Sequence, residues 1–143
     1  MSDGAWYSQG RIIQCKFEWP NHPKWAVLLG EVKDCTYKPL LLFVRFNSRI
    51  SDDTRKNKNL LPLQFPVKKA DYTFLTKDHG FIDCSRIMTK PYYELLAELD
   101  GYGECTAEDC GDLLPAHWTE VLEKVLRSPL LNEAYEEAIH NGL

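Results

Sequence analysis

The spacing of apolar residues in the first two thirds of the chain is typical of short β-strands. In residues 11–19, apolar side chains alternate with polar ones, which is the period of a half-buried strand. Further segments rich in strand-forming residues are 25–29, 40–46, 60–67, 72–75 and 80–88. Five to six short strands at about ten-residue spacing predict a small antiparallel barrel or sandwich.

After residue 90 the apolar residues follow a helical period. A first helix is predicted between Thr89, a good N-cap, and Gly101, a good stop. Residues 118–126 have apolar side chains at the i, i+3, i+4, i+7 spacing of a second helix. A third helix is predicted to begin at Ser128, which precedes a proline, and to end at Gly142.

Length and composition indicate one folded domain. The chain has 143 residues, of which 44% are hydrophobic and 27% charged, as in a packed globule rather than a disordered segment. We therefore predict a single α+β domain that is mainly β. In it, a barrel of five to six antiparallel strands at about residues 10–89 is followed by helices at about residues 90–141.

Charge divides the chain into two parts of opposite sign. Residues 1–90 contain 15 Lys and Arg against 9 Asp and Glu, whereas residues 91–143 contain 2 against 12. The basic part suggests a polyanionic partner. The acidic part has three interpretations that the sequence leaves open: it binds a cationic partner, it shields the basic part, or it keeps the protein in solution.

Several large classes of protein do not fit this sequence. It has no apolar run of the roughly 20 residues that cross a bilayer and no N-terminal segment of signal-peptide type. Its five cysteines are irregularly spaced, which favours reduced thiols and a cytoplasmic location with no membrane partner. Phosphate-binding glycine loops, dinucleotide fingerprints, HExxH and GxSxG are absent. Cys105 and Cys110, with only His117 nearby, are too few for a zinc site, so we predict neither a metal nor a cofactor.

Five segments, taken in order, resemble those of the PemK/MazF-like toxins. They are the opening strand at 10–17, the loop into the second strand at 22–29 (HPKWAVLL), the third strand at 41–48 (LLFVRFNS), the late strand at 81–89 (FIDCSRIMT) and the terminal helix at 118–126. Members of that family are SH3-like barrels that cleave single-stranded RNA and are restrained by an antitoxin. The resemblance therefore implies an SH3-like barrel, metal-independent endoribonuclease activity, an antitoxin-like protein partner and a homodimer.

The resemblance also implies where the catalytic residues lie. The family has an arginine before its second strand and a threonine after its third, and this chain has Lys24 and Ser48 at those places. Attack of an RNA 2′-hydroxyl on its own phosphodiester needs a base, an acid and a cation that stabilises the extra phosphate charge. Lys24 can supply the charge, although it lacks the planar fork of arginine. Ser48 can position the reacting groups, and His22 is a candidate acid or base.

Residues around this pair are expected to bind the RNA. The set comprises Arg45, Asn47, Arg49, Trp25, Arg55 and Lys56. The basic residues can contact phosphates, and Trp25, together with Trp19 and Phe46, can stack on unpaired bases. Each also has a structural interpretation, namely a solvated loop for the charged residues and core packing for the aromatic ones.

Two other functions remain open from the sequence. In the first, the chain is a noncatalytic SH3-like module that binds a protein partner or RNA, for which the acidic helices are the motivating feature. In the second, those helices fold over the basic barrel and hold it inactive, so that deletion of residues 115–143 would increase RNA affinity. The sequence does not decide whether the chain is an enzyme.

Overall fold

The computed structural model describes residues 4–18, 22–33, 39–103 and 105–143. Trp19 and Cys35 lie outside the described residues. The predictions that Trp19 belongs to the first strand and stacks on RNA bases therefore stay predictions. The strands are β1 (Arg11–Lys16), β2 (Pro23–Lys33), β3 (Pro39–Asn47), β4 (Gln64–Lys68), β5 (His79–Asp83), β6 (Met88–Pro91) and β7 (Glu108–Asp112). The helices are α1 (Asp52–Arg55), α2 (Tyr92–Leu99), α3 (Pro115–Leu126) and α4 (Glu133–Asn141).

The described strands form one curled antiparallel sheet, a half-barrel, in the order β4-β5-β3-β2-β1-β7. Strand β3 is the centre of this sheet because it pairs with β2 along one edge and with two strands along the other. On that second edge, Phe43 pairs with Met88 of β6, and Phe46 pairs with Ile82 of β5. The prediction of a mixed fold that is mainly β is confirmed.

Both faces of the sheet are buried, which explains the continuous apolar runs of β2 and β3. On one face, Val27 and Val44 pack in a cluster with residues of α3 and α4. On the other, Leu28 and Phe43 pack in a cluster that contains the buried Trp6 and residues of α2. Successive residues of a strand point to opposite faces, so these strands need apolar side chains at every position.

Three of the predicted strands differ from those in the structure. Only the second half of the predicted strand 60–67 is extended, because Leu61–Leu63 form a 3-10 helix before β4 begins at Gln64. Residues 72–75 form turns rather than a strand, because Tyr72 and Leu75 are buried beneath neighbouring segments instead of alternating along a ladder. Residues 80–88 do not form one strand, since β5 ends at Asp83. The carboxylate of Asp83 accepts a hydrogen bond from the backbone N–H of Ser85, which stabilises a turn before β6.

The polar strand β7 was not predicted, and it lies in the part of the chain for which the sequence predicts only helices. It pairs with β1, and Arg11 holds it there. The guanidinium of Arg11 donates to both carboxylate oxygens of Asp109, at 2.7 and 2.8 Å, and holds the pKa of that carboxyl below its usual value. Ion pairs and backbone hydrogen bonds keep β7 in place, so this strand does not need apolar side chains. It therefore lacks the alternation of apolar and polar residues by which strands are recognised in a sequence.

The predicted helices are present, with corrected starting points. Pro91 is the N-cap of α2, since Thr89 belongs to the β6 ladder. Helix α4 begins after Asn132, whose side chain accepts the N–H of Tyr135, and not after Ser128. Gly142, with φ of 74°, ends α4 as predicted. No helix in the described ranges is long and apolar enough to cross a membrane.

Candidate functional site

Three strand ends meet at the candidate site. Strand β3 ends at Asn47, whereas β2 begins at Pro23 and β5 begins at His79. Because β2 and β5 both run antiparallel to β3, their first residues lie on either side of its last ones. Gly80 permits a close approach here, since an added Cβ would lie only 3.0 Å from the carbonyl oxygen of Asn47.

A cavity of about 200 Å³ opens at this junction, and we call it the histidine cavity. It is lined by His22, Pro23, Lys24, Trp25, Phe46, Asn47, Ser48, Leu75, Thr76, Lys77, His79 and Gly80. Its inner wall is aromatic and its mouth carries two imidazoles and two ammonium groups.

A second cavity of about 280 Å³ adjoins the first, and we call it the arginine cavity. It is lined by Lys24, Arg45, Asn47, Ser48, Arg49, Ser51, Asp52, Thr54, Gln64, Asp83 and Arg86. Lys24, Asn47 and Ser48 therefore line both cavities. Arg45 and Arg86 also line a further cavity of about 330 Å³ at the start of β6, so the concave surface continues beyond the arginine cavity.

Lys24 is held in an electrostatically unfavourable position. It is half-buried near the start of β2, and Ala26, two residues later, pairs with Arg45 of β3. Alternation places Lys24 and Arg45 on the same face of the sheet. Burial, and then the positive charge of Arg45, lower the pKa of Lys24. An anion bound between these two side chains would relieve both effects.

Arg86 is a site residue that the sequence analysis did not identify. It belongs to the turn between β5 and β6, which a hydrogen-bond network fixes. Oδ1 of the buried Asp83 accepts from Gln64 Nε2 at 2.8 Å and from Ser85 Oγ at 2.5 Å. The hydroxyl of Ser128 donates to the carbonyl oxygen of Ser85 at 2.6 Å. This fixed turn brings Arg86 to the edge of the arginine cavity.

The aromatic wall of the histidine cavity is continuous with the core. Trp25 lies 5.4 Å from Phe74, and Phe74 lies 5.6 Å from Phe46, between ring centroids. Phe46 is only 4% exposed, which favours core packing over base stacking among its two interpretations. Trp25 is partly exposed and retains a surface on which a base can stack.

The hydroxyl of Tyr72 anchors this aromatic cluster to α3. It accepts the N–H of Leu114 at 3.0 Å and contacts Nδ1 of His117 at 2.6 Å. A phenolic hydroxyl can accept one hydrogen bond and take part in a second, so it can satisfy both contacts. The segment that carries Leu75 to the wall of the histidine cavity, and Phe74 behind Trp25, is thereby tied to the beginning of α3.

The remaining predicted residues are divided between the site and the surface. Arg49 lines the arginine cavity and is exposed. Arg55, at the end of α1, and Lys56 are also exposed but line neither of the two cavities. This difference has no local signal in the sequence, because it depends on where the end of α1 lies relative to the strand ends.

The acidic helices leave both cavities open. Within the described part of the chain, no residue of α2, α3 or α4 lines the histidine or the arginine cavity. These helices pack instead on the two faces of the sheet. The structure therefore does not show the acidic helices folded over these two cavities.

Comparison with known proteins assigns no family to the chain. No protein-family model, no curated protein and no solved structure matches it. Among residues 4–18, 22–33, 39–103 and 105–143, no group of three or more His, Cys, Asp and Glu side chains is arranged to hold a metal ion.

Proposed function

We propose that the protein is a metal-independent endoribonuclease of the PemK/MazF-like type, with an SH3-like fold, that binds single-stranded RNA across the histidine and arginine cavities. One observation carries the proposal. Lys24 and Ser48, the two residues implied by the resemblance, are far apart in the sequence and yet line the same two cavities. A shared surface is the first requirement for two residues that act on one phosphodiester.

The charge of the arginine cavity supports a phosphate ligand. Lys24, Arg45, Arg49 and Arg86 line it, against the carboxylates of Asp52 and Asp83. The Asp83 carboxylate already accepts hydrogen bonds from Gln64 and Ser85, so it repels an incoming anion less than a free carboxylate does. Guanidinium groups suit phosphate oxygens because they donate in pairs.

The histidine cavity supports an unpaired base. Trp25 offers an aromatic face at its wall, and a duplex would not present a base there, since bases in a duplex are stacked on each other. With a base in the histidine cavity and phosphates along the arginine cavity, the scissile group lies over Lys24 and Ser48. Lys24 stabilises the phosphate charge and Ser48 donates a hydrogen bond to it.

The partners implied by the resemblance belong to the same proposal. An antitoxin-like protein would inhibit the enzyme by covering the open cavities, and the active form would be a homodimer. In this proposal inhibition comes from another protein, since the described residues of the acidic helices do not line the cavities.

The test is cleavage of RNA in the absence of divalent metal. Purified protein is incubated with single-stranded RNA, and with DNA of the same sequence, in EDTA. We expect cleavage of the RNA only, because DNA lacks the attacking 2′-hydroxyl, and strong loss of activity in Lys24→Ala and Ser48→Ala. Lys33→Ala, at the other end of the same strand β2, is the matched control. Intact RNA with the wild-type protein, together with normal growth of bacteria that express it, would refute the nuclease proposal.

A second candidate is a noncatalytic module that binds RNA or a protein. Two exposed tyrosines favour it: Tyr93 is 61% exposed on the acidic helix α2, and Tyr102, shortly after it, is 72% exposed. Exposed tyrosines are common where proteins bind each other. Salt-dependent RNA binding without cleavage would support this candidate, and Tyr93→Ala with Tyr102→Ala would then weaken binding of the protein partner while leaving RNA binding unchanged.

A further inference from the structure

Two histidines face the histidine cavity from opposite sides of β3. His22 immediately precedes β2, and His79 is the first residue of β5. Both line the cavity, as do Lys24 and Ser48. Since β2 and β5 are each one strand away from β3, their backbones are separated by about 10 Å. Imidazoles at these two places flank the mouth of the cavity, where the scissile group lies beside Lys24 and Ser48 in the proposed binding mode.

We propose that His22 and His79 are the base and the acid of RNA cleavage, an inference that rests on the proposed function. In displacement at phosphorus, the attacking and leaving oxygens lie roughly in line, on opposite sides of the phosphorus atom. A base and an acid must therefore stand on opposite sides of the scissile group. The strand order β2-β3-β5 provides this arrangement directly.

The surroundings of the two imidazoles assign their roles. Nδ1 of His22 lies 3.4 Å from the carbonyl oxygen of Pro23. A hydrogen bond in that contact requires the proton on Nδ1, because a carbonyl oxygen can only accept, and we assign to Nε2 the lone pair that accepts a proton. His79 is exposed, and no hydrogen bond holds its imidazole among the described residues, so it is available to donate to the leaving oxygen.

The reaction step is balanced by these two groups. Nε2 of neutral His22 takes the proton of the 2′-hydroxyl as the 2′-oxygen forms a bond to phosphorus. The bond between phosphorus and the 5′-oxygen breaks, and protonated His79 gives its proton to that oxygen. The products are a 2′,3′-cyclic phosphate and a 5′-hydroxyl, and exchange of protons with water resets both imidazoles. Lys24 and Lys77, which line the same cavity, stabilise the phosphate charge during the step.

The experiment measures single-turnover cleavage by His22→Gln and His79→Gln across a range of pH. General acid–base catalysis contributes roughly 100-fold or more, so each variant is expected to lose at least that factor. The wild-type profile is bell-shaped, His22→Gln loses the acidic limb and His79→Gln loses the alkaline limb. His140→Gln, an exposed histidine on α4 near Glu136, is the matched control and retains the wild-type rate.

A modified substrate separates the acid from a structural role. Once the cleaved linkage is mapped, the same linkage is made with sulfur in place of the 5′-bridging oxygen. A thiolate leaves without protonation far more readily than an alkoxide, so this substrate restores cleavage by His79→Gln and not by His22→Gln. Failure of the wild-type protein to cleave any RNA overturns the nuclease and the pair together. Cleavage by the wild type, with unchanged rates in both variants or with no selective rescue, overturns the pair and leaves the nuclease standing.

Discussion

Removing one positive charge from the arginine cavity should lower the salt dependence of RNA binding by a fixed amount. Among the described residues, Lys24, Arg45, Arg49 and Arg86 are the cations that line this cavity. Each phosphate neutralised on a single strand contributes about −0.7 to the slope of log K against log salt. Four contacts give a slope of about −2.8 and three give about −2.1. From roughly 50 to 200 mM salt, affinity then falls about 50-fold for the wild type and about 20-fold for a variant that lacks one cation.

Lys24→Gln is the most informative of these variants because its effects on binding and on stability have different signs. Burial and the charge of Arg45 lower the pKa of Lys24 in the folded state. At neutral pH the folded protein therefore bears an unfavourable charge there, which is relieved only as the pH rises above the folded-state pKa. Replacement with the neutral glutamine removes it, so the free energy of unfolding should stay the same or increase while RNA affinity falls. Arg86→Gln should lower the slope equally without that gain in stability, because Arg86 is exposed.

The assay is fluorescence anisotropy of a labelled single-stranded RNA at several KCl concentrations, with urea denaturation as the measure of stability. Arg127→Gln is the control, since Arg127 is the exposed C-cap of α3, pairs with Glu123 and does not line the arginine cavity. The reasoning fails if Lys24→Gln and Arg86→Gln keep the wild-type slope, or if Arg127→Gln lowers the slope as much as they do.

Three further predictions concern stability. Lys90→Met should lower the free energy of unfolding by about 3–5 kcal/mol, because Lys90 and Glu98 form a buried ion pair with an N–O distance of 2.7 Å. Adding Glu98→Leu should recover most of this loss, and urea denaturation of the single and double variants checks both expectations. Tyr72→Phe should lower the free energy of unfolding by about 1–3 kcal/mol, since it removes a hydroxyl that has two hydrogen-bond partners and leaves those partners unsatisfied. Urea denaturation measures this loss as well. Burial raises the pKa of Cys15 and of Cys84 to about 12. Above about pH 9 the folded state therefore binds more protons than the unfolded state, and the free energy of unfolding should fall by about 1.4 kcal/mol per pH unit for each thiol. Urea midpoints measured from pH 8 to 10 should fall less steeply in Cys15→Ala, and an unchanged fall would contradict this prediction.

The strands that the sequence predicts well are those whose side chains are buried. Ile13, Leu28 and Phe43 lie in one core cluster, and their apolar neighbours lie in the cluster on the other face. That two-sided burial produces the apolar runs by which β2 and β3 were recognised. The strand β7 shows the limit of this signal, because its place beside β1 depends on the ion pair between Arg11 and Asp109. A pairing between residues so far apart in the sequence has no local signature.

The residues of the candidate site also divide into those that the sequence indicates and those that only the fold brings together. Lys24 and Ser48 were identified through a resemblance of ordered segments, and the antiparallel pairing of β2 with β3 brings them together. His79 and Arg86 were missed because their importance comes from the position of β5 beside the end of β3. A histidine before a glycine and an arginine in a turn are ordinary surface features until the strand order is known.

The position of Lys24 supports the proposal that this surface binds an anion. A half-buried lysine beside an arginine lowers the stability of the folded state, and the described residues include no carboxylate that pairs with Lys24. Proteins retain such local conflicts mainly where function requires them. A phosphate between Lys24 and Arg45 would convert the repulsion into two favourable contacts, so ligand binding should raise the melting temperature of the wild type more than that of Lys24→Gln. Single-stranded RNA that stabilised both proteins equally would show that Lys24 does not contact the ligand.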